Sequence, residues 1–169
     1  CESAKNAERV TPAKAETFSS RHPGLHIEYA TEEELNELNY TDQKVCAEVA
    51  YSWILDRLDQ IKMAHHVDYL FIVMTEPPYD TQFFAMSAAD PGAVRGTNYE
   101  EVYPLGVTVE VNESQQRAMA NAVKELNHLA DAGNYVDYYS YLDNVNGKDI
   151  IIGMTYDLSN IENEIRNVT

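Results

Sequence analysis

A hairpin in residues 136–157, VDYYSYLDNVNGKDIIIGMTYD, decides the fold of this chain. Its centre, Asn146-Gly147, is a strong signal for a two-residue turn, and the flanking residues are rich in the tyrosine and β-branched side chains that strands favour. If these two residues form the turn, four side chains share the core face in pairs: Tyr139 with Met154 and Tyr141 with Ile152. We therefore predict that both tyrosines are packing residues.

Four more segments upstream of the hairpin have strand patterns. Residues 67–75 are apolar at nearly every position, which is typical of a central strand buried on both faces. Residues 81–88 follow a proline-containing break and predict a partner for that strand. Strict alternation of apolar and polar residues over 25–30 and 105–110 predicts two shorter strands.

Helix signals lie between these strands. A capping box that begins at Thr31 predicts a short helix, and Asn112 is a predicted N-cap for a helix over 113–131. A longer helix is predicted over 42–64, with an apolar stripe at helical spacing: Val45, Val49, Trp53, Ile54, Leu58 and Ile61. We expect Trp53 and Leu126, which lie in the two apolar stripes, to be buried against the sheet.

The order of these elements predicts an α+β fold with a single sheet and helices packed on one face. Residues 1–24 carry no apolar periodicity and are predicted to form a flexible tether. The globular domain is then 25–169. Because β-α-β-β occurs twice, a tandem repeat of half-domains 25–90 and 105–169 is one interpretation.

The first residues constrain the location of the protein. Cys1 is followed by the polar stretch ESAKNAE. This arrangement resembles a mature bacterial lipoprotein, whose signal peptide is removed just before a lipid-accepting cysteine. The resemblance implies that Cys1 is lipidated and that the domain faces the periplasm from the cell envelope. Two alternatives stay open: a disulfide between Cys1 and Cys46, and an arbitrary chain boundary.

Charge narrows the classes of partner. The chain has 28 acidic and 12 basic residues, for a net charge of −16. Such a field repels phosphate backbones, which disfavours nucleic acid, and attracts cationic partners. No apolar run approaches the roughly 18 residues of a membrane-spanning helix, so membrane contact is expected through the lipid anchor only.

Two acidic, tyrosine-bearing loops stiffened by prolines are the predicted partner-binding surface. Aromatic rings supply area that can be buried, and carboxylates pair with lysine and arginine. The residues are Tyr79, Asp80, Tyr99, Glu100, Glu101 and Tyr103.

Histidine chemistry has weaker support. His65 and His66 stand next to Asp68, but adjacent side chains in a strand point to opposite faces and do not ligate one ion easily. His26 and Glu28 lack a third ligand in the sequence. We predict no metal site, no cofactor and no catalytic residue.

Three functions follow, in order of preference. The first is an envelope-anchored binding protein that captures or neutralises a basic protein, as inhibitor or immunity lipoproteins do. The second is a periplasmic binding or sensor domain for a small cationic solute, with tyrosines and carboxylates forming a cage. The third is a hydrolase that uses the histidines.

Overall fold

A computed structural model describes residues 11–90, 102–121, 124–129 and 135–159 of the chain. Its helices are α1 (Pro12–Arg21), α2 (Glu32–Glu37), α3 (Tyr40–His65) and α4 (Glu113–Asn121), with a short 3-10 helix at Ile27–Tyr29. Its strands are β1 (Tyr69–Thr75), β2 (Thr81–Ser87), β3 (Thr108–Glu110), β4 (Lys124–Leu129), β5 (Tyr135–Val145) and β6 (Lys148–Asp157).

The chain divides into two compact units, a helical unit of Cys1–Arg57 and a sheet unit of Leu58–Thr169, and the boundary falls within α3. Within the described ranges, no helix combines the length and the apolar character that a membrane span requires.

The helical unit begins inside the segment that composition assigned to a tether. Thr11 caps α1 by accepting a hydrogen bond from Lys14 N at 3.3 Å, and Pro12 occupies the first turn, where proline is well tolerated. Phe18 is then only 1% exposed. Residues 12–21 are therefore helical, which corrects the prediction of a flexible 1–24 there, because a start signal and one anchoring aromatic suffice without an apolar stripe.

Local hydrogen bonds replace the strand predicted over 25–30. Tyr29 N donates to His26 O at 2.9 Å within a 3-10 helix at Ile27–Tyr29. The alternating pattern failed here because so short a segment is a strand only where a partner strand completes its hydrogen bonds. The capping box of Thr31 and Glu34 is confirmed at the start of α2.

Helix α3 forms as predicted, but its buried stripe is rotated. Trp53 is 43% exposed and Ile54 46%, which contradicts the expected burial of Trp53. The buried face combines the apolar residues Cys46, Val49, Leu55 and Leu58 with the polar residues Asp42, Ser52 and Lys62. Hydropathy could not identify this face, because the polar side chains on it are buried beside apolar ones.

The sheet unit confirms the α+β class and the single sheet. Six antiparallel strands have the order β3-β2-β1-β6-β5-β4, so β1 and β6 lie at the centre. The predicted strands at 67–75 and 81–88 correspond to β1 and β2.

Helices cover both faces of this sheet rather than one. On the face that we call the inner face, Val73, Tyr139 and Ile151 pack with Ala118 and Met119 of α4. The opposite, outer face is covered by the last turns of α3, where Leu58 packs with core residues that include Leu70 and Ala88. The prediction of helices on one face was wrong, since a strand that is apolar on both sides, such as β1, needs cover on both.

The predicted helix over 113–131 stops early. Asn112 caps it as expected, accepting a hydrogen bond from Gln115 N at 2.9 Å, but α4 ends at Asn121 and Lys124–Leu129 pairs with β5 as an edge strand. Pairing with β5 overrides the helical periodicity of the segment. The side chain of Leu126 lies outside the described residues. Among the described residues, the half-domain 25–90 contains two strands and the half-domain 105–169 contains four, and the tandem repeat stays an interpretation.

The decisive hairpin forms with a register that differs from the prediction by one residue. Asn146 and Gly147 have φ values of 52° and 80°, as a two-residue turn of this kind requires. A bulge between Tyr141 and Asp143 then sets Tyr141 opposite Ile151 and Tyr139 opposite Gly153. Tyr139 is buried as predicted, but Met154 and Ile152 belong to the outer face.

Candidate functional site

A row of aromatic rings crosses the inner face. Ring centroids are 4.2 Å apart for Tyr103 and Phe84, 5.3 Å for Phe84 and Phe71, and 6.5 Å for Phe71 and Tyr139. Phe71 crosses the neighbouring strand because Gly153 has no side chain; an added Cβ would lie 2.3 Å from the Phe71 ring. The glycine therefore makes the aromatic row continuous.

A buried carboxylate stands at the β5 end of this row. Asp137 is 6% exposed, and each of its oxygens accepts one hydrogen bond. Tyr139 Oη donates to Oδ2 at 2.8 Å, and Thr155 Oγ1 donates to Oδ1 at 2.6 Å. Asn112 Nδ2 donates to the Tyr139 hydroxyl at 2.9 Å, so the N-cap of α4 is linked to this carboxylate through the tyrosine.

A second buried carboxylate lies near the tip of the hairpin. Asp149, also 6% exposed, accepts hydrogen bonds from Tyr79 Oη at 2.7 Å and Asn144 Nδ2 at 2.6 Å. Tyr141 Oη is 3.5 Å from the same Oδ1 atom that Asn144 contacts. Asp149 therefore joins the loop before β2 to the β5–β6 hairpin.

Neither carboxylate is neutralised by a cationic side chain in the part of the chain that the structure describes. Their hydrogen-bond partners among the described residues are hydroxyl and amide donors. A carboxylate has about four acceptor positions, so two remain on Asp137. Burying a charge without an opposite charge is costly, and such groups are concentrated at functional sites.

The tyrosines around these acids are protonated hydrogen-bond donors. Burial, with the charge of Asp137, raises the pKa of Tyr139. The hydrogen bond to Asp149, with burial, raises the pKa of Tyr79, and burial with the nearby Asp149 and Asp143 charges raises the pKa of Tyr141. Each hydroxyl therefore stays protonated and donates a hydrogen bond to a carboxylate.

Of the predicted partner-binding residues, the structure brings two to the inner face. Tyr79 packs against its core and Tyr103 stacks on Phe84, so both rings turn inward. Asp80 is exposed. Tyr99, Glu100 and Glu101 lie outside the described residues, as does the predicted lipid acceptor Cys1. Capture of a basic protein therefore stays a prediction.

The adjacent histidines considered in the sequence analysis lie at the end of a helix. His65 and His66 are exposed at the end of α3, where His66 adopts a φ of 51° and Val67 N donates to Lys62 O at 3.2 Å. This is a Schellman-type helix end. In the described ranges, no group of three or more His, Cys, Asp or Glu residues could hold a metal ion.

Sequence reasoning missed Asp137 and Asp149. One signal was available: Asp137 shares the period of two with Tyr139 and Tyr141, which were assigned to the core face, so an acid was placed among inward-facing residues. Asp149 gave no such signal. The predicted register placed it on the face opposite to Tyr139, and the bulge in β5 that puts both on one face is not visible in the hairpin pattern.

Comparisons with known proteins add a loose structural likeness. No family model matches the chain, and no curated protein matches it. The GAF domain of A. aeolicus nlh2 in an inactive state has a TM-score of 0.38 at 12% identity, covering 92% of this chain and 86% of its own. An IclR transcriptional regulator from Alicyclobacillus acidocaldarius has a TM-score of 0.41 at 13% identity, over 64% and 57%.

Proposed function

We propose that this protein is a small-ligand binding or sensor domain that recognises a cationic solute on the inner face of its sheet. The observation that carries the proposal is Asp137, a buried carboxylate with only hydroxyl donors among the described residues, at the end of a row of aromatic rings. An ammonium group would supply the missing positive charge and would donate to the two remaining acceptor positions.

The surroundings of Asp137 suit such a ligand. Cations are attracted to the faces of aromatic rings. Tyr139, which donates to the carboxylate, provides such a ring, and the Phe71 ring lies 6.5 Å from it between centroids. Asn112 and Thr155 hold the tyrosine and the carboxylate in place through hydrogen bonds, so little ordering is needed when the ligand binds. The excess of acidic residues in the chain would favour the approach of a cation.

The test is a comparison of ligand-induced stabilisation. A panel of small amines, with alcohols and carboxylates of the same size, is screened by thermal unfolding of the intact protein. An amine at about 100 times its Kd should stabilise the fold by about 2.7 kcal/mol. Asp137→Asn, which removes the charge with little change of shape, should abolish the response.

Asp143→Asn is the matched control, because the same substitution is made at an exposed position of the same strand. It should respond to the amine as the unaltered protein does. A panel without a stabilising amine, or an Asp137→Asn protein that still responds, would refute the proposal.

A further inference from the structure

The helical unit contains a cavity that the proposed function does not use. Its volume is about 310 Å³, within the range of small-ligand pockets. Its lining includes the apolar side chains of Leu25, Ile27 and Trp53. It also includes the polar side chains of His22, His26 and Glu28.

His22 is held firmly in the wall of this cavity. Its Nε2 atom lies 3.1 Å from Asp42 Oδ2, and its ring packs against the Phe18 ring at an interplanar angle of 41°, with the centroids 4.8 Å apart. The contacts with Asp42 and Phe18 fix the orientation of the His22 ring in the cavity wall.

Trp53 supplies an aromatic surface in the same cavity. It is the only tryptophan in the chain, and it is 43% exposed although it lies midway along a long helix. A tryptophan face is the best of the aromatic surfaces for a cation, and it also offers a large apolar contact.

The lining contains one carboxylate. Glu28 is exposed at the cavity, and no lysine or arginine is among the residues that line it. His26 and Glu28, which the sequence analysis considered as a pair, line this cavity together with His22. These residues do not form a metal site, since no group of three potential ligands in the described ranges could hold an ion.

We infer that this cavity binds a small organic ammonium ion with an apolar body. The body would lie on Trp53 and Ile27, and the ammonium would donate to the Glu28 carboxylate. This site uses only residues of the helical unit and is independent of the proposed site at Asp137.

The single tryptophan makes the inference directly measurable. Binding of 2-phenylethylammonium to the intact protein should change Trp53 fluorescence in a saturable manner. The uncharged 2-phenylethanol, which has the same body, should bind about tenfold more weakly because it lacks the charge-assisted contacts. Glu28→Gln should weaken ammonium binding by a similar factor, and Glu33→Gln, at an exposed position of α2, is the matched control.

Both substitutions are at exposed side chains, so the fold should persist. The inference is overturned if the ammonium gives no saturable change, if the alcohol binds equally well, or if Glu28→Gln has no effect. Asp137→Asn should leave this fluorescence response intact. Amine-induced stabilisation, which Asp137→Asn should remove, tests the site at Asp137. The Trp53 fluorescence response tests the cavity of the helical unit, so the two sites are tested separately.

Discussion

At the residue scale, Asp42 organises the helical unit. The residue is 3% exposed; Oδ2 accepts a hydrogen bond from Asn39 Nδ2 at 2.8 Å and lies 3.1 Å from His22 Nε2, and Oδ1 forms an ion pair with Arg21 Nη1 at 2.8 Å. Asn39 Oδ1 in turn accepts from Asp42 N at 3.0 Å, which caps the start of α3. One acid thereby connects the end of α1 to the beginning of α3.

The stability of the fold should therefore depend on pH through Asp42. Burial alone would raise the pKa of this carboxyl group, but hydrogen bonds from His22 and Asn39 and the charge of Arg21 hold it below its ordinary value. A lowered pKa in the folded state stabilises the fold above the unfolded pKa of about 3.9, and this contribution is lost as the pH falls through the folded value.

Urea unfolding of the unaltered protein and of Asp42→Asn provides the measurement. The two should differ in free energy of unfolding at neutral pH and converge in acid, while Glu33→Gln serves as a charge-matched control. A difference that stayed constant across the pH range would contradict this role for Asp42.

At the scale of elements, the inner face depends on the contact between β1 and β6. Phe71 lies over Gly153, and this placement lets its ring reach both Phe84 and Tyr139. The bulge in β5 sets Tyr139 opposite Gly153 on the same face. Gly153 and the bulge in β5 thus determine the aromatic row.

Gly153→Ala should destabilise the sheet unit by about 1–3 kcal/mol, because the new methyl group overlaps the Phe71 ring in a packed core. In a Phe71→Leu background the same change should cost less, since the smaller side chain can move away. Urea unfolding of the four proteins measures the coupling. Gly24→Ala is the control, because no atom lies within 4 Å of its added Cβ. Equal costs in both backgrounds would exclude the proposed overlap.

At the scale of the whole molecule, the predicted location rests on Cys1. Cys46 is a buried free thiol within α3, and burial raises its pKa. Both features make Cys46 a packing residue that is slow to react. The lipid anchor and the periplasmic orientation stay predictions.

Mass spectrometry of the native protein from envelope extracts tests the anchor. The N-terminal peptide should carry the added mass of acyl chains on Cys1. Cys46 should be alkylated only after unfolding, which serves as the internal control for a free thiol. An unmodified Cys1, or a Cys1–Cys46 disulfide, would contradict lipidation.

The sequence by itself determined the features that depend on neighbouring residues. Asn146-Gly147 forms the predicted turn because only residues that tolerate positive φ fit it, and the Thr31 capping box and the Asn112 cap begin helices by local hydrogen bonds. The acidic charge, the central strand β1 and the α+β class were likewise accessible from composition and periodicity.

Only the tertiary structure decided which side chains meet. Periodicity assigned Trp53 to the core and residues 124–129 to a helix, whereas Trp53 is 43% exposed and Lys124–Leu129 pairs with β5. The candidate site likewise depends on tertiary contacts. Asp137 and Tyr79 are 58 positions apart in sequence, yet both point to the inner face. Burial and strand pairing arise from contacts between distant segments, and a bulge of one residue is enough to exchange the faces of a strand.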